Sequence, residues 1–424
     1  MPMVLPLDGV SFERAASALA GMPGFFCIDA RRSHPSQGRF SIVSALPSNT
    51  FSMAGAFITV DGHTTIDSPR EALSRFAGLA AAMPCDPYLP FSGGIAGYIG
   101  FEGARAIRGL DPARGFSRHS QCRLGLYAAA MIFDHSEGTA GLVLGGESRS
   151  EAQGKADAFL EALELRTASA APHAPRPTED MGLRLSPDER SLRRILNDAR
   201  HWLRSEALNH VHIVRHGQRP LAEDEALRIF LDRPEAQAVR AFFTHEGSSY
   251  MVSSWDSLLS IDGRALKSTL ASSPDADSSP RVRRLVIEEI ERQIRRLCEA
   301  PMHMRSATGS TPDRTVFEGT LSREVSPVDA LAGLIPSNCL TGAPHDRALE
   351  FIDSSEDIHR SLYGGAFGTM DPLRTRFFTV QGIATAADGT LGTTVGVDLT
   401  EDSDEDSVVG QFDALISRAH LQTD

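Results

Sequence analysis

The period of apolar and polar positions changes along the chain. Up to about residue 165, short apolar runs alternate with turn residues, as in Arg39-Phe40-Ser41-Ile42-Val43 and Gly55-Ala56-Phe57-Ile58-Thr59-Val60-Asp61-Gly62. That alternation predicts antiparallel strands and hairpins. Residues 152–165 take helical spacing, and residues 168–177 (ASAAPHAPRP) lose all periodicity and carry three prolines, the composition of a linker. Residues 187–208 then predict a helix with Leu192, Ile195, Leu196, Ala199 and Leu203 on one face, followed by a strand at 211–215. Ser278-Ser279-Pro280 is a helix start, and Val282, Leu285, Val286, Ile290, Ile294 and Leu297 recur at three- and four-residue intervals behind it. Glu288/Arg292 and Glu291/Arg295 stand four apart, the spacing of supporting ion pairs. Helices at 330–334, 346–353 and 408–419 and strands at 376–384 and 391–397 complete the pattern. Long strands with separate helices predict α+β layering. The expected division is an N-terminal half of the fold over residues 1–167, a linker over residues 168–182 and a C-terminal domain over residues 183–424.

Composition narrows the functional class. The 424 residues carry 42 Lys+Arg against 55 Asp+Glu, a net charge of -13, which disfavours nucleic acid as a partner. No apolar run approaches the roughly 20 residues that cross a bilayer, and Met1 to Pro6 show no basic and apolar leader, so a cytoplasmic protein without a membrane is expected. Cys27, Cys85, Cys122, Cys298 and Cys339 are odd in number and widely spaced, which argues against disulfides and against a zinc site. Lys155 and Lys267 are the two lysines among the 42 basic residues, leaving 40 arginines. Arginine does not give up its proton, so a lysine kept in such a chain draws attention as a nucleophile.

Three glycine-rich turns stand out: Pro90-Phe91-Ser92-Gly93-Gly94-Ile95-Ala96-Gly97-Tyr98, Thr341-Gly342-Ala343-Pro344-His345 and Tyr363-Gly364-Gly365-Ala366-Phe367-Gly368. Glycine lets backbone N–H groups approach a carboxylate or phosphate, and it also serves plain tight turns.

With its neighbours this set resembles the chorismate-utilising enzymes, which include anthranilate synthase component I, aminodeoxychorismate synthase component I, and the isochorismate and salicylate synthases. Cys27-Ile28-Asp29 with Gly38-Arg39-Phe40-Ser41 resembles LDS…GRYS, and residues 90–102 resemble PFxGGxxGYxxYE. Ala265-Leu266-Lys267-Ser268-Thr269 resembles PIKGT, and residues 336–349 resemble PxGTxTGAPKxRAM. Ile352-Asp353 through Glu356, Arg360 and Tyr363-Gly364-Gly365-Ala366 resemble IIDELEPxRRGxYGGAxG, and Asp402-Ser403-Asp404 stands at DSD. The resemblance implies two packed antiparallel β-sheets flanked by helices, and an enzyme that binds chorismate with one magnesium ion and replaces or moves its ring hydroxyl. Such chemistry needs metal carboxylates, donors for the substrate carboxylates and an acid or base near the ring.

Position by position, much of that equipment differs. The KERAEH helix matches Glu291 to Leu297 and puts Arg295 near the family's first metal glutamate. Val408 and Gln411 fall on its C-terminal ExxE carboxylates, and its histidine falls near Pro312, His303 being the nearest imidazole. The arginine of AIRTA becomes Gln381, the last glycine of GAGI becomes Asp398, and the lysine of GAPK becomes His345. The QVVLSR strand becomes His210-Val211-His212-Ile213-Val214-Arg215, keeping Arg215 alone. Lys267 stands where aminodeoxychorismate synthases carry an active-site lysine, and Thr269 is kept. The substitutions imply a lost magnesium site and no other cofactor. Lys267 is the expected nucleophile or base. Thr269, Thr341, Gly342, Tyr363, Gly364, Gly365, Gln381 and Asp398 are expected to line one pocket, with Arg215, Arg295 and His345 as further candidates. The expected function is a diverged enzyme of specialised metabolism, of lyase or transferase type, acting on a small molecule other than chorismate. The alternatives are a non-catalytic relative or partner of a glutamine amidotransferase, a homo-oligomer being possible either way, and an ordinary aminodeoxychorismate or anthranilate synthase component I.

Overall fold

The computed structural model describes residues 2–31, 38–110, 121–145, 149–167, 182–221, 225–232, 238–271, 279–299, 302–307 and 314–421. The expected linker therefore lies, but for residue 182, outside the described residues. Two antiparallel sheets form the body. The first runs, in spatial order, Met3–Pro6, Thr139–Leu144, Ala129–Asp134, Phe40–Ser44, Phe26–Asp29, Val239–His245, Ser248–Ser254, Gly382–Ala387, Thr390–Leu399, His210–Pro220 and Arg184–Ser186. The second runs His303–Ala307, Arg314–Thr320, Ala265–Ala271, Ser257–Asp262, Arg374–Thr379, Ala366–Met370, Gly94–Ile99, Cys122–Tyr127, Asn49–Ala54, Phe57–Val60 and His63–Thr65. Each takes strands from both sides of the 168–182 segment.

Alternation along the strands fills three layers of core. Phe26, Tyr98, Phe243, Tyr250, Phe367 and Phe378 meet between the sheets. On the outer face of the second sheet, Leu259, Leu266, Leu270 and Phe317 pack under the helices Pro69–Ala81, Pro280–Leu297 and Pro327–Leu334. The helices Phe12–Leu19, Arg149–Thr167 and Glu225–Asp232 cover one end of the first sheet. The helices Glu189–Arg204, His345–Ser355 and Glu405–Leu421 cover the other.

Local sequence explains the helix starts. Asp188 accepts from the Ser191 N–H at 2.8 Å, and the stripe Leu192, Ile195, Leu196, Ala199 and Leu203 is buried as its spacing requires. Ser279 caps Pro280–Leu297 with proline at its start, and Ser326 and Asp329 form a reciprocal capping box. Of the anticipated ion pairs on the Pro280–Leu297 helix, Arg295 meets Glu291, while Arg292 turns to Glu289 and Glu288 meets Arg284. No helix among the described residues is long and apolar enough to cross a membrane.

The single strand expected at 376–384 is two. Arg374–Thr379 belongs to the second sheet and Gly382–Ala387 to the first, parted at Val380-Gln381. Ser248–Ser254 and Ser257–Asp262 divide in the same way at Trp255-Asp256. The two crossings are neighbours: Gln381 N–H donates to the Ser253 carbonyl at 3.0 Å. Alternation reports a strand's face but not which sheet it joins, so the crossing is invisible in the apolar pattern.

Candidate functional site

At this double crossing the chain assembles a buried polar group. Gln381 donates from Nε2 to Asp256 Oδ2 at 2.7 Å, while its Oε1 accepts from the Trp255 N–H at 2.7 Å and the Ser254 hydroxyl at 3.3 Å. Asp256 Oδ1 accepts from the Ala271 N–H, and Thr269 Oγ1 accepts from the Ser257 N–H at 2.9 Å. Arg314 donates from Nη1 to the Trp255 carbonyl at 2.8 Å. Burial pushes the Asp256 pKa up to about 7, against the Ala271 N–H, the Arg314 charge, the Gln381 amide and the Arg283 charge, which all lower it.

Asp256 borders a cavity with Ser268, Thr269, Gln293, Ser337, Cys339 and Thr379. Its volume is about 20 Å³, room for one water molecule and far less than a ring-bearing dicarboxylate needs. Gln293 comes from the Pro280–Leu297 helix and donates to Asn338 Oδ1 at 3.1 Å, while its buried Oε1 has no hydrogen-bond partner. The Cys339 thiol is raised by burial, with the charges of Asp256 and Asp398 both adding to the effect. Cys339 thus lies within electrostatic reach of a second cluster.

That cluster forms at the end of the first sheet, where His212 is in register with Asp398. One carboxylate oxygen of Asp398 is bonded to both His210 Nε2, at 3.0 Å, and His212 Nδ1, at 2.7 Å. His212 Nε2 meets the Tyr363 hydroxyl at 2.9 Å, with the two rings stacked. Burial alone would raise the Asp398 pKa, but the His212 and His210 imidazoles outweigh it and hold the carboxyl well below the usual range. Gly396 makes the His212–Tyr363 contact feasible: a Cβ there would stand 1.9 Å from His212 Nε2 and 2.6 Å from the Tyr363 hydroxyl.

The residues expected to line one pocket fall into separate groups. Thr269 and Gln381 belong with Asp256; Asp398 and Tyr363 belong with the histidines. Thr341 is fully buried and bonds to the carbonyls of Ser337 and Asn338 and to His345 Nδ1, at 3.0 Å for the last. His345 is itself buried and kept neutral, its pKa pushed down to about 3 by burial and by the nearby Arg108 and Arg105. Gly342 and Gly365 admit backbone rather than ligand: a Cβ would meet the His210 carbonyl at 2.5 Å and the Ile99 carbonyl at 2.2 Å. Gly364 takes a positive φ in the same turn. Lys267 is 37% exposed on the second sheet, 3.9 Å from Glu318, and does not border the cavity.

Two expectations are corrected outright. Arg295 was expected beside a metal position but faces solvent, paired with Glu291 on its own helix, because the buried stripe runs through Val286, Glu289, Gln293 and Ile294. Arg215 is buried but tied to the Pro187 carbonyl and to Asp413, which dock the C-terminal helix, and not to either polar cluster. Sequence reasoning passed over Asp256, Gln293 and Arg314. Gln293 had a legible signal, a polar residue on an otherwise apolar stripe; Asp256 had none, since nothing in the apolar pattern marks the crossing.

The comparisons agree with this architecture. The profile of the chorismate binding enzyme family matches residues 40–285 and 314–407. Anthranilate synthase component 1 of Thermus thermophilus is 25% identical over 367 residues, 78% of this chain and 77% of that protein. Aminodeoxychorismate synthase of Streptomyces pristinaespiralis is 26% identical over 416 residues, 84% of this chain and 56% of that protein. Among solved structures, anthranilate synthase component I from Streptococcus pneumoniae has a TM-score of 0.76 at 17% identity, covering 92% of this chain and 93% of that one. The menaquinone-specific isochorismate synthase of Escherichia coli has a TM-score of 0.69 at 17% identity, covering 100% and 94%. These structural likenesses are likenesses of fold. The profile match spans most of the chain, and with the two-sheet architecture it makes this protein a member of the chorismate-utilising enzyme family.

Proposed function

We propose that this chain is a diverged enzyme of the family that works without magnesium on a substrate less anionic than chorismate, at the Asp256–Gln381 crossing. One observation carries the reading. Gln381, where the resemblance places a carboxylate-clamping arginine, commits both ends of its amide to Asp256 and Trp255, so no cation is offered at that point. Asp256 is the group placed to hold and move a proton near neutrality, because burial keeps its acid form accessible there.

Magnesium, implied by the resemblance, does not fit the described donors. It takes near-octahedral oxygen ligands, usually including carboxylates. Among the described residues Asp256 is the one carboxylate bordering the cavity, and the charges of Arg314 and Arg283 act on it. Among the described residues no group of three His, Cys, Asp or Glu is arranged to hold a metal. On this reading the chemistry falls to the chain's own groups. Calorimetry with chorismate, with and without magnesium chloride, tests the reading. No saturable heat is expected in either case, and tight magnesium-dependent binding would overturn it.

Lys267 keeps its candidacy as nucleophile or base from its place in Ala265-Leu266-Lys267-Ser268-Thr269. Borohydride trapping followed by peptide mass spectrometry tests that role, and full activity of Lys267→Ala ends it without touching Asp256. The small cavity favours a second reading, a non-catalytic relative that partners a glutamine amidotransferase or a second copy of itself. Co-purification of a stoichiometric amidotransferase, with no turnover in the complex, would select that reading instead.

A further inference from the structure

The cavity at the crossing brings together hydrogen-bonding groups that are unevenly served. Its border takes in Asp256, Ser268, Thr269, Gln293, Ser337 and Thr379, and most of the remaining wall is apolar, with Ile290 and Leu334 in it. Ser268 donates to the Ser257 carbonyl at 3.3 Å, Thr269 accepts from the Ser257 N–H, and Thr379 donates to the Ser337 hydroxyl at 3.5 Å. Gln293 differs. It is 6% exposed, and its Nε2 is committed to Asn338 Oδ1, while Oε1 has no hydrogen-bond partner among the described residues. Among the described residues with a buried, unpartnered side-chain atom, Gln293 is the one that borders this cavity. Turning over both amides exchanges donor and acceptor in the Gln293–Asn338 pair and leaves a Gln293 N–H unmet instead, so one end of the amide is open in either assignment. A buried amide end without a partner is costly, and a polar space beside it is where bound water meets such a need. Asp256 has a complementary need. Its Oδ1 and Oδ2 already face N–H donors, from Ala271 and Gln381, so in the acid form its O–H requires an acceptor that neither donor supplies.

We propose that the cavity binds a single water molecule, held by the open end of the Gln293 amide and placed to accept from the acid form of Asp256. The volume of about 20 Å³ admits one water and no larger ligand. A metal cation would satisfy the Gln293 carbonyl but cannot accept from Asp256, and ammonium only donates; water does both. The contact with Gln293 stands on the cavity and the open amide alone, whereas the contact with Asp256 rests on the reading of Asp256 as the group that holds a proton. Water gives that proton a partner from outside the chain, at a point the substrate itself is too large to reach.

Two measurements on the full chain, in solutions free of ammonium, test the site. A high-resolution crystal structure is expected to show one isolated peak in the cavity, about 2.6–3.2 Å from the Gln293 amide and from one Asp256 oxygen. Oxygen-17 magnetic relaxation dispersion counts waters held for longer than the protein tumbles. It is expected to register one fewer in Gln293→Met, a side chain of similar length without an amide. The proposal is overturned by the lack of a peak, or by a peak ringed by five or more oxygens at about 2.0–2.6 Å, the geometry of a bound cation. It is equally overturned by a peak more than about 3.5 Å from both Asp256 oxygens, or by an unchanged water count in Gln293→Met. Should that variant fail to fold, the peak in the wild type decides alone. The reading of Asp256 as a proton holder fails separately, in the pH dependence of stability, and the reading of the substrate in the calorimetry.

Discussion

Replacing Asp256 with asparagine removes the carboxylate from the crossing at nearly constant volume, and the structure sets the size of the effect. Burial raises the Asp256 pKa from an ordinary 3.8 to about 7. A shift of roughly three units corresponds to about 4 kcal/mol of differential stability between the two protonation states. Because the folded state holds the proton more tightly than the unfolded chain, folding is penalised progressively as pH rises from about 4, and fully above about 7. Asparagine does not titrate. It sets one amide N–H group against another, opposite either Ala271 or Gln381, at a pH-independent cost of about 1–3 kcal/mol. The quantity to measure is therefore the difference in unfolding free energy between wild type and Asp256→Asn, from urea titrations at several pH values. Groups common to both proteins cancel. Wild type is expected to lose about 3 kcal/mol relative to the variant between about pH 4.5 and about pH 8. A difference constant within about 1 kcal/mol, or one that moves in wild type's favour as pH rises, would refute the reasoning. In that event the Ala271 and Gln381 donors and the Arg314 charge would hold the carboxylate ionised throughout, and Asp256 would be a structural tie rather than a proton carrier.

Two further outcomes test the surroundings. Gly396→Ala drives a methyl group into His212 and Tyr363, parting their 2.9 Å contact, and is expected to cost about 2–3 kcal/mol, read as a lower urea midpoint with unchanged slope. Arg360→Met removes a guanidinium that is 1% exposed and bound to both oxygens of Glu356 and to the carbonyls of Leu340 and His212. It leaves Glu356 buried and unpaired, so a loss of about 3–5 kcal/mol is expected, against less than about 0.5 kcal/mol for Arg295→Ala on the solvent face. Comparable losses in the two arginine variants would contradict the assigned environments.

How far the sequence speaks depends on which contacts an element makes. The helix Glu189–Arg204 was legible within the expected 187–208, because its apolar stripe is a local fact that the packed structure only has to respect. Alternation likewise exposed the strands Phe40–Ser44 and Thr390–Leu399. The resemblance located the shared framework through motifs such as Glu356, Arg360 and Tyr363-Gly364-Gly365. In the structure these form one knot: Arg360 reaches Glu356, Leu340 and His212 while stacking over Phe101, and its N–H donates to Glu102. Those residues hold the fold together, which is why the motifs that carry the resemblance locate framework rather than chemistry.

The site itself was only partly legible, and for a physical reason. Gln381 and Asp398 could be named as substitutions, but their partners could not. Whether a lost cation leaves a gap, a new ion pair or a neutral hydrogen bond depends on contacts made across two sheets. Gln381 is satisfied by a backbone N–H and a carboxylate brought by another crossing, and Asp398 by two histidines two residues apart on a neighbouring strand. Both side chains are internally paired, and neither pairing could be read from the residue alone.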